Sequence, residues 1–94
     1  MGFEFQAPVR LPAELLDRIS AAVSNASGLI RRDSASGSVV YATSGDGPPL
    51  LELFGEEELL LVFHGGDGQM RERVVAVVQE LLDAAGITPT LEEL

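Results

Sequence analysis

The chain of 94 residues contains no cysteine, no lysine and no tryptophan, and it has one histidine and one tyrosine. Without cysteine it can form no disulfide, no thiolate nucleophile and no zinc–thiolate site. No apolar run reaches the ~18 residues of a membrane-spanning helix, and no basic stretch followed by an apolar one opens the chain. We therefore expect a protein without a signal peptide or transmembrane segment. The lack of cysteine is compatible with a cytoplasmic location.

The chain also has few positive charges: it contains six arginines and fifteen acidic residues, and its formal net charge is -9. Residues 1–47 hold four arginines and five acids, whereas residues 48–94 hold two arginines and ten acids. A field of this sign repels phosphate backbones and anionic lipids, so we expect no nucleic-acid partner and no membrane surface. The acidic half is either a solvated surface that keeps a small protein soluble or a patch that steers a basic partner.

The apolar pattern predicts one α+β domain over residues 1–94. Period-two alternation and short apolar runs between turns predict strands, and helical spacing of apolar residues predicts two amphipathic helices. The predicted strands are 2–9, 29–33, 38–43, 50–54 and 58–64, the predicted helices are 12–26 and 68–85, and the turns are 34–37, 45–49 and 55–57. The predicted fold is a two-layer sandwich in which an antiparallel sheet of four to five strands carries both helices on one face.

Particular residues are expected to mark the core and the helix ends. The inward strand candidates are Val39, Tyr41, Leu51, Leu53, Leu59, Leu61 and Phe63. The inward candidates of the second helix are Met70, Val74, Val77, Val78, Leu81 and Ala85. Pro12 is expected as a first helical position, Asp67 as an N-cap, and Gly28 and Gly86 as left-handed helix ends.

The last eight residues are ambiguous. An edge strand over residues 87–94 would complete a ferredoxin-like βαββαβ order, which is the alternative to the β-α-β-β-β-β-α order. Pro89 argues against a strand, and Thr90 with Glu93 has the spacing of a capping box. We therefore expect an irregular or briefly helical tail.

The function favoured by the sequence is a non-enzymatic protein-interaction module. Leu50, Phe54, Leu60 and Val62 are apolar candidates for the sheet face away from the helices. The run Glu56-Glu57-Glu58 lies beside them, and consecutive strand residues point to opposite faces, so the three carboxylates do not converge on one metal ion. We expect the partner to be a second copy of the chain, giving a homodimer, or a basic protein that the acidic half neutralises, as an antitoxin or immunity protein would.

The alternative is a small-molecule binder or modest enzyme with a pocket around Tyr41, Glu52 and His64. Such a pocket would supply an imidazole for proton transfer, but a lone histidine at a strand end is more often an ordinary surface residue. No catalytic residue, metal ligand or cofactor is predicted.

A glycine-rich loop and a pair of adjacent arginines are two further motifs of the sequence. The loop of Gly65, Gly66 and Gly68 precedes a helix and, with Arg71, could hold an anion, although a turn with an N-cap explains it as well. The doubled Arg31-Arg32 is expected to place its side chains on opposite faces, with one of them paired to a carboxylate of the neighbouring strand.

Overall fold

A computed structural model describes residues 2–33 and 38–94. The strands are β1 (Phe3–Ala7), β2 (Ile30–Asp33), β3 (Val39–Ala42), β4 (Leu51–Phe54), β5 (Leu59–Phe63) and β6 (Glu92–Glu93), and the helices are α1 (Ala13–Ser27) and α2 (Gly68–Ala84). The predicted turn 34–37 lies outside the described residues. Each of the other predicted elements is present, with ends that differ by at most two residues.

The strands form one antiparallel sheet in the order β2-β3-β4-β5-β1-β6. Alternating strand directions make β1 and β2 parallel, and α1 carries the chain between them across three strands. In the same way α2 carries the chain from β5 past β1 to β6. Both helices lie on one side of the sheet, so the predicted two-layer α+β sandwich is confirmed.

The tail is irregular over residues 87–91, as expected, but its end forms a short sixth strand where a sheet of four to five strands was predicted. Glu92–Glu93 pairs antiparallel with Phe5 and Gln6 of β1, and the Leu94 amide donates to the Glu4 carbonyl at 2.8 Å. Because β5 covers only one side of β1, the tail satisfies backbone groups that an open edge would leave unpaired. The ferredoxin-like alternative is also wrong, since β3 and β4 add a hairpin that this order lacks.

The core lies between the helices and the facing side of the sheet. Six of the seven predicted inward strand residues are at most 2% exposed, namely Tyr41, Leu51, Leu53, Leu59, Leu61 and Phe63, and Val39 is half-buried. Cross-strand pairs such as Leu53 with Leu61 place these side chains in one layer. Period-two alternation in the sequence therefore identified the buried face correctly.

The helix ends agree with most of the capping signals. The Asp67 side chain accepts a hydrogen bond from the Met70 amide at 2.7 Å, and Gly28 and Gly86 adopt φ of 72° and 75°. Pro12 lies one position before the first residue of α1, in extended backbone, so its predicted place inside the helix is wrong by one residue.

The buried face of α2 is rotated slightly from the predicted one. The buried residues are Met70, Val74, Val78 and Leu82. Ala85, which the spacing placed inward, is exposed because the helix has already ended at Ala84, and Leu82 fills the position one turn earlier. Among the described residues, no helix is long and apolar enough to cross a membrane.

Candidate functional site

The two sides of the sheet differ, and we call them the covered face, against the helices, and the open face. The open face carries Gln6, Val40, Glu52, Phe54, Leu60 and Val62 in the central strands. Phe54, Leu60 and Val62 are half-buried, as is the adjoining Leu50. The large apolar side chains with the highest exposure within the described residues are Phe3, Ile30 and Leu94, and Ile30, which pairs with Ala42, lies on the open face at its β2 edge. The open face is therefore a mixed surface with an apolar strip, not a fully wet apolar sheet.

A concavity of about 330 Å³ lies at the β4–β5 end of the open face. It is lined by Gln6, Ser38, Phe54, Gly55, Glu56, Glu57, Glu58 and Leu60. Phe54 and Leu60 are direct cross-strand partners, so their side chains lie side by side and form its apolar wall. Five of the seven residues expected to bind a partner therefore line one hollow; Leu50 and Val62 do not line it.

The hairpin turn that builds this hollow sits tightly against α1. Gly55 is buried, and a Cβ atom there would lie 2.5 Å from Cδ1 of Leu16. Glycine therefore allows the turn to approach the helix without overpacking. On the other side of the hollow, the Gln6 side-chain amide donates to the Glu58 carboxylate, which joins β1 to the turn.

The carboxylates of the turn form an acidic rim. Glu56, Glu57 and Glu58 are all exposed, and within residues 2–33 and 38–94 neither Glu56 nor Glu57 has a hydrogen-bond or ion-pair partner. In the same part of the chain no group of three or more histidine and acidic side chains is placed to hold a metal ion. A rim of free carboxylates beside an apolar wall suits a cation on an apolar stem, which is what arginine and lysine side chains offer.

Glu52 and His64 meet at the open face, but Tyr41 does not join them. His64 Nε2 lies 2.7 Å from Glu52 Oε1, and the two side chains are 42% and 24% exposed. Tyr41 is buried on the covered face, where its hydroxyl donates to the Ser20 carbonyl at 2.8 Å. Burial raises the pKa of Tyr41 to about 12. The three residues therefore do not share one pocket, and Glu52 and His64 are absent from the lining of the 330 Å³ hollow.

The glycine-rich loop before α2 is organised around its own N-cap. Gly66 has φ of 91°, which favours glycine, and the Asp67 carboxylate already accepts from the helix N-terminus. The Arg71 guanidinium lies 3.8 Å from the centre of the Phe3 ring. The anion site expected at Gly65, Gly66, Gly68 and Arg71 stays a prediction; the Asp67 carboxylate already accepts from the Met70 amide, and the Arg71 guanidinium lies over the Phe3 ring.

The expected ion pair between Arg31 or Arg32 and a carboxylate of the neighbouring strand is not formed within the described residues, so this prediction is wrong. Arg31 contacts Asp33 of its own strand at 3.7 Å, and Arg32 donates to the carbonyls of Gly45 and Gly47 in the β3–β4 loop. The reason is visible in the neighbouring strand β3, which reads Val-Val-Tyr-Ala and offers no carboxylate.

A second cavity of about 400 Å³ lies on the other side of the molecule, between α2 and the β1–β6 edge. Its lining residues are Phe5, Arg71, Glu72, Val75, Ala76, Gln79 and Leu91. Sequence reasoning missed this cavity, as it missed Gln6 and Ser38 in the open-face hollow. Gln6 had a usable signal, because it alternates with the apolar Phe3 and Phe5 and so belongs to the polar side of β1.

We compared the chain with protein-family models, curated proteins and solved structures, and none of them matches it. Any functional conclusion therefore depends on the chemistry of the sites themselves.

Proposed function

We propose that this protein is a non-enzymatic interaction module that binds a basic segment of another protein on its open face. The observation that supports this most directly is the hollow in which Phe54 and Leu60 form an apolar wall beside Glu56, Glu57 and Glu58. An arginine or lysine side chain could lay its methylene stem on the apolar wall and its charged end among the carboxylates. Glu56 and Glu57 break no hydrogen bond or ion pair when they meet such a cation, because within the described residues they form none.

The charge distribution favours the same kind of partner. Residues 48–94 carry ten of the fifteen acids and include the whole acidic rim. Charges of one sign around a binding surface raise the association rate of an oppositely charged partner more than they raise affinity. We therefore expect binding that weakens as salt is added and that depends on both the rim and the apolar wall.

Self-association of the chain stays a separate prediction. A symmetric dimer brings the same surface patch of both copies together, so a contact centred on Glu56–Glu58 would oppose like charges. A homodimer would instead have to use the strip around Leu50 and Val62, away from the rim. Light scattering at micromolar concentration tests it: a dimer is the expected mass if that strip associates, and a monomer contradicts the homodimer without affecting the basic-partner proposal.

The alternative of a small-molecule or enzymatic pocket around Tyr41, Glu52 and His64 retains one supporting observation, the 2.7 Å contact between Glu52 and His64. A carboxylate that orients an imidazole is a common part of acid–base sites. The pair is solvent-exposed, however, and Tyr41 lies on the opposite face. We therefore favour the interaction module.

The proposal is tested with two synthetic peptides, one alternating arginine with leucine and one alternating arginine with serine. We expect the arginine–leucine peptide to bind more tightly, because it supplies both the charge and the apolar stem. The triple variant Glu56→Gln, Glu57→Gln, Glu58→Gln should weaken its binding at least tenfold, as loss of several charge-assisted contacts predicts. Isothermal titration calorimetry at low and high salt measures both effects.

The matched control is Glu14→Gln, Asp17→Asn, Glu80→Gln, which changes the net charge equally through three exposed acids on the helices. If binding depended on net charge alone, the two triple variants would weaken it to the same extent. That result would contradict the proposed site, and so would equal binding of the two peptides.

A further inference from the structure

The 400 Å³ cavity between α2 and the β1–β6 edge has mostly apolar walls. Phe5, Val75 and Leu91 are half-buried and line it together with Ala76. Gln79 also lines it, but its polar atoms are already engaged: its oxygen accepts from the Leu91 amide at 2.9 Å and its nitrogen donates to Asp83 at 2.9 Å. The volume lies within the range of small-molecule pockets, roughly 300–1,000 Å³.

One cation with free donors lies at the edge of this cavity. The half-buried Arg71 places its guanidinium over the Phe3 ring, 3.8 Å from the ring centre. Stacking uses the face of a guanidinium and leaves the N–H groups along its edge able to donate. Within residues 2–33 and 38–94, Arg71 has no carboxylate within 4.0 Å and no hydrogen-bond acceptor. The Phe3 ring positions this guanidinium at the edge of the cavity.

We infer that this cavity binds a small carboxylic acid with an apolar chain, its carboxylate on Arg71 and its chain against Phe5, Val75 and Leu91. A guanidinium donates two parallel hydrogen bonds from its edge to the oxygens of a carboxylate. The other charged lining residue, Glu72, is exposed and opposes an anion. Its repulsion acts through water, where it is weaker than the direct contact with Arg71, so binding persists but is modest in affinity.

The inference is independent of the basic partner on the open face. Its test uses three probes of the same chain length, decanoate, decanol and decylammonium, titrated into the whole chain and followed by NMR chemical shifts. We expect decanoate to bind saturably, with shifts concentrated at β1, α2 and Leu91, and to bind more tightly than decanol. Decylammonium should not compete with it.

Two variants and a control separate the contributions. Arg71→Gln should weaken decanoate binding roughly tenfold while leaving decanol binding unchanged, because a charge-assisted hydrogen bond is lost. Ala76→Trp, at an exposed helix position, should fill the cavity and abolish binding of both probes. Arg73→Gln is the control, because Arg73 is on the same helix but donates to the Ala26 carbonyl and does not line the cavity.

Three results would overturn the inference. Equal affinity for decanoate and decanol would exclude carboxylate recognition, and equal effects of Arg71→Gln and Arg73→Gln would exclude Arg71 as the anchor. Undiminished binding to a folded Ala76→Trp variant would place the ligand elsewhere.

Discussion

The two faces of strand β5 differ although the sequence of the strand is apolar throughout. Leu59, Leu61 and Phe63 lie on the covered face and are at most 2% exposed, whereas Leu60 and Val62 on the open face are only half-buried. The difference comes from what lies opposite: two helices close one face, and within the described residues no helix closes the other. Apolar composition therefore does not by itself identify a core. The covered face should provide most of the stability, while Leu60 and Val62 on the open face remain partly accessible for contacts.

The largest expected effect compares neighbouring leucines on opposite faces. Leu61→Ala should lower the free energy of unfolding by about 2–5 kcal/mol, because it removes a fully buried side chain and leaves a cavity. Leu60→Ala should lower it by only about 1 kcal/mol, since solvent already reaches that side chain. Urea denaturation followed by circular dichroism measures both. Equal losses would mean that the open face is also covered in solution.

The pH dependence of stability tests the burial of Tyr41 on the covered face. The pKa of the Tyr41 hydroxyl is about 12 in the folded protein, whereas in the unfolded chain it has its ordinary value of 10.0. As the pH rises, the unfolded chain therefore loses this proton first. The contribution of Tyr41 to the free energy of unfolding is therefore complete below pH 10. It is lost as the pH rises towards 12, by about 2–3 kcal/mol in total. Tyr41→Phe should remove this alkaline slope, although loss of the hydrogen bond to Ser20 costs about 1 kcal/mol at neutral pH. An unchanged slope would contradict the assignment to Tyr41.

On α2, neighbouring valines test which side of the helix supports the sheet. Val78 is fully buried and Val77 is half-buried. Val78→Ala should lower the free energy of unfolding by about 1–3 kcal/mol, and Val77→Ala should lower it by less. Thermal unfolding of both variants compares them directly. The reverse order would mean that the buried face is rotated towards Val77.

The smallest expected effect is on the open face itself, at the exposed pair of Glu52 and His64. Ion pairs that water reaches contribute about 0–1 kcal/mol, so Glu52→Gln should change the stability by no more than this. A double-mutant cycle with His64→Gln isolates the pair. A coupling above 2 kcal/mol would indicate that the open face is shielded from water.

The fold was largely predictable because local patterns and tertiary packing agree. Alternation selected the covered side of β3, β4 and β5, and capping residues located the ends of α1 and α2. The strand at the end of the tail was mispredicted because two residues are too few to show a strand period, and the pairing of Glu92–Glu93 depends on the unsatisfied edge of β1. Local signals at Pro89, Thr90 and Glu93 therefore pointed away from the result.

The site was predictable where its residues are close in sequence and not where they are distant. Phe54, Leu60 and the three glutamates belong to one hairpin, so the sequence brings them together. Gln6 reaches the same hollow only because β1 pairs with β5, a contact between strands more than fifty residues apart. The cavity beside Arg71 likewise needs β1, α2 and the tail at once, and no short-range pattern encodes that arrangement.

Peptide binding to the two leucine variants tests the division between the faces most directly. Titration of the arginine–leucine peptide should show that Leu60→Ala weakens binding severalfold, as loss of one wall of the hollow predicts. Leu61→Ala, measured under conditions in which it is folded, should bind as the unchanged protein does. If Leu60→Ala binds normally, or if the two variants lose affinity equally, the open face is not the binding surface.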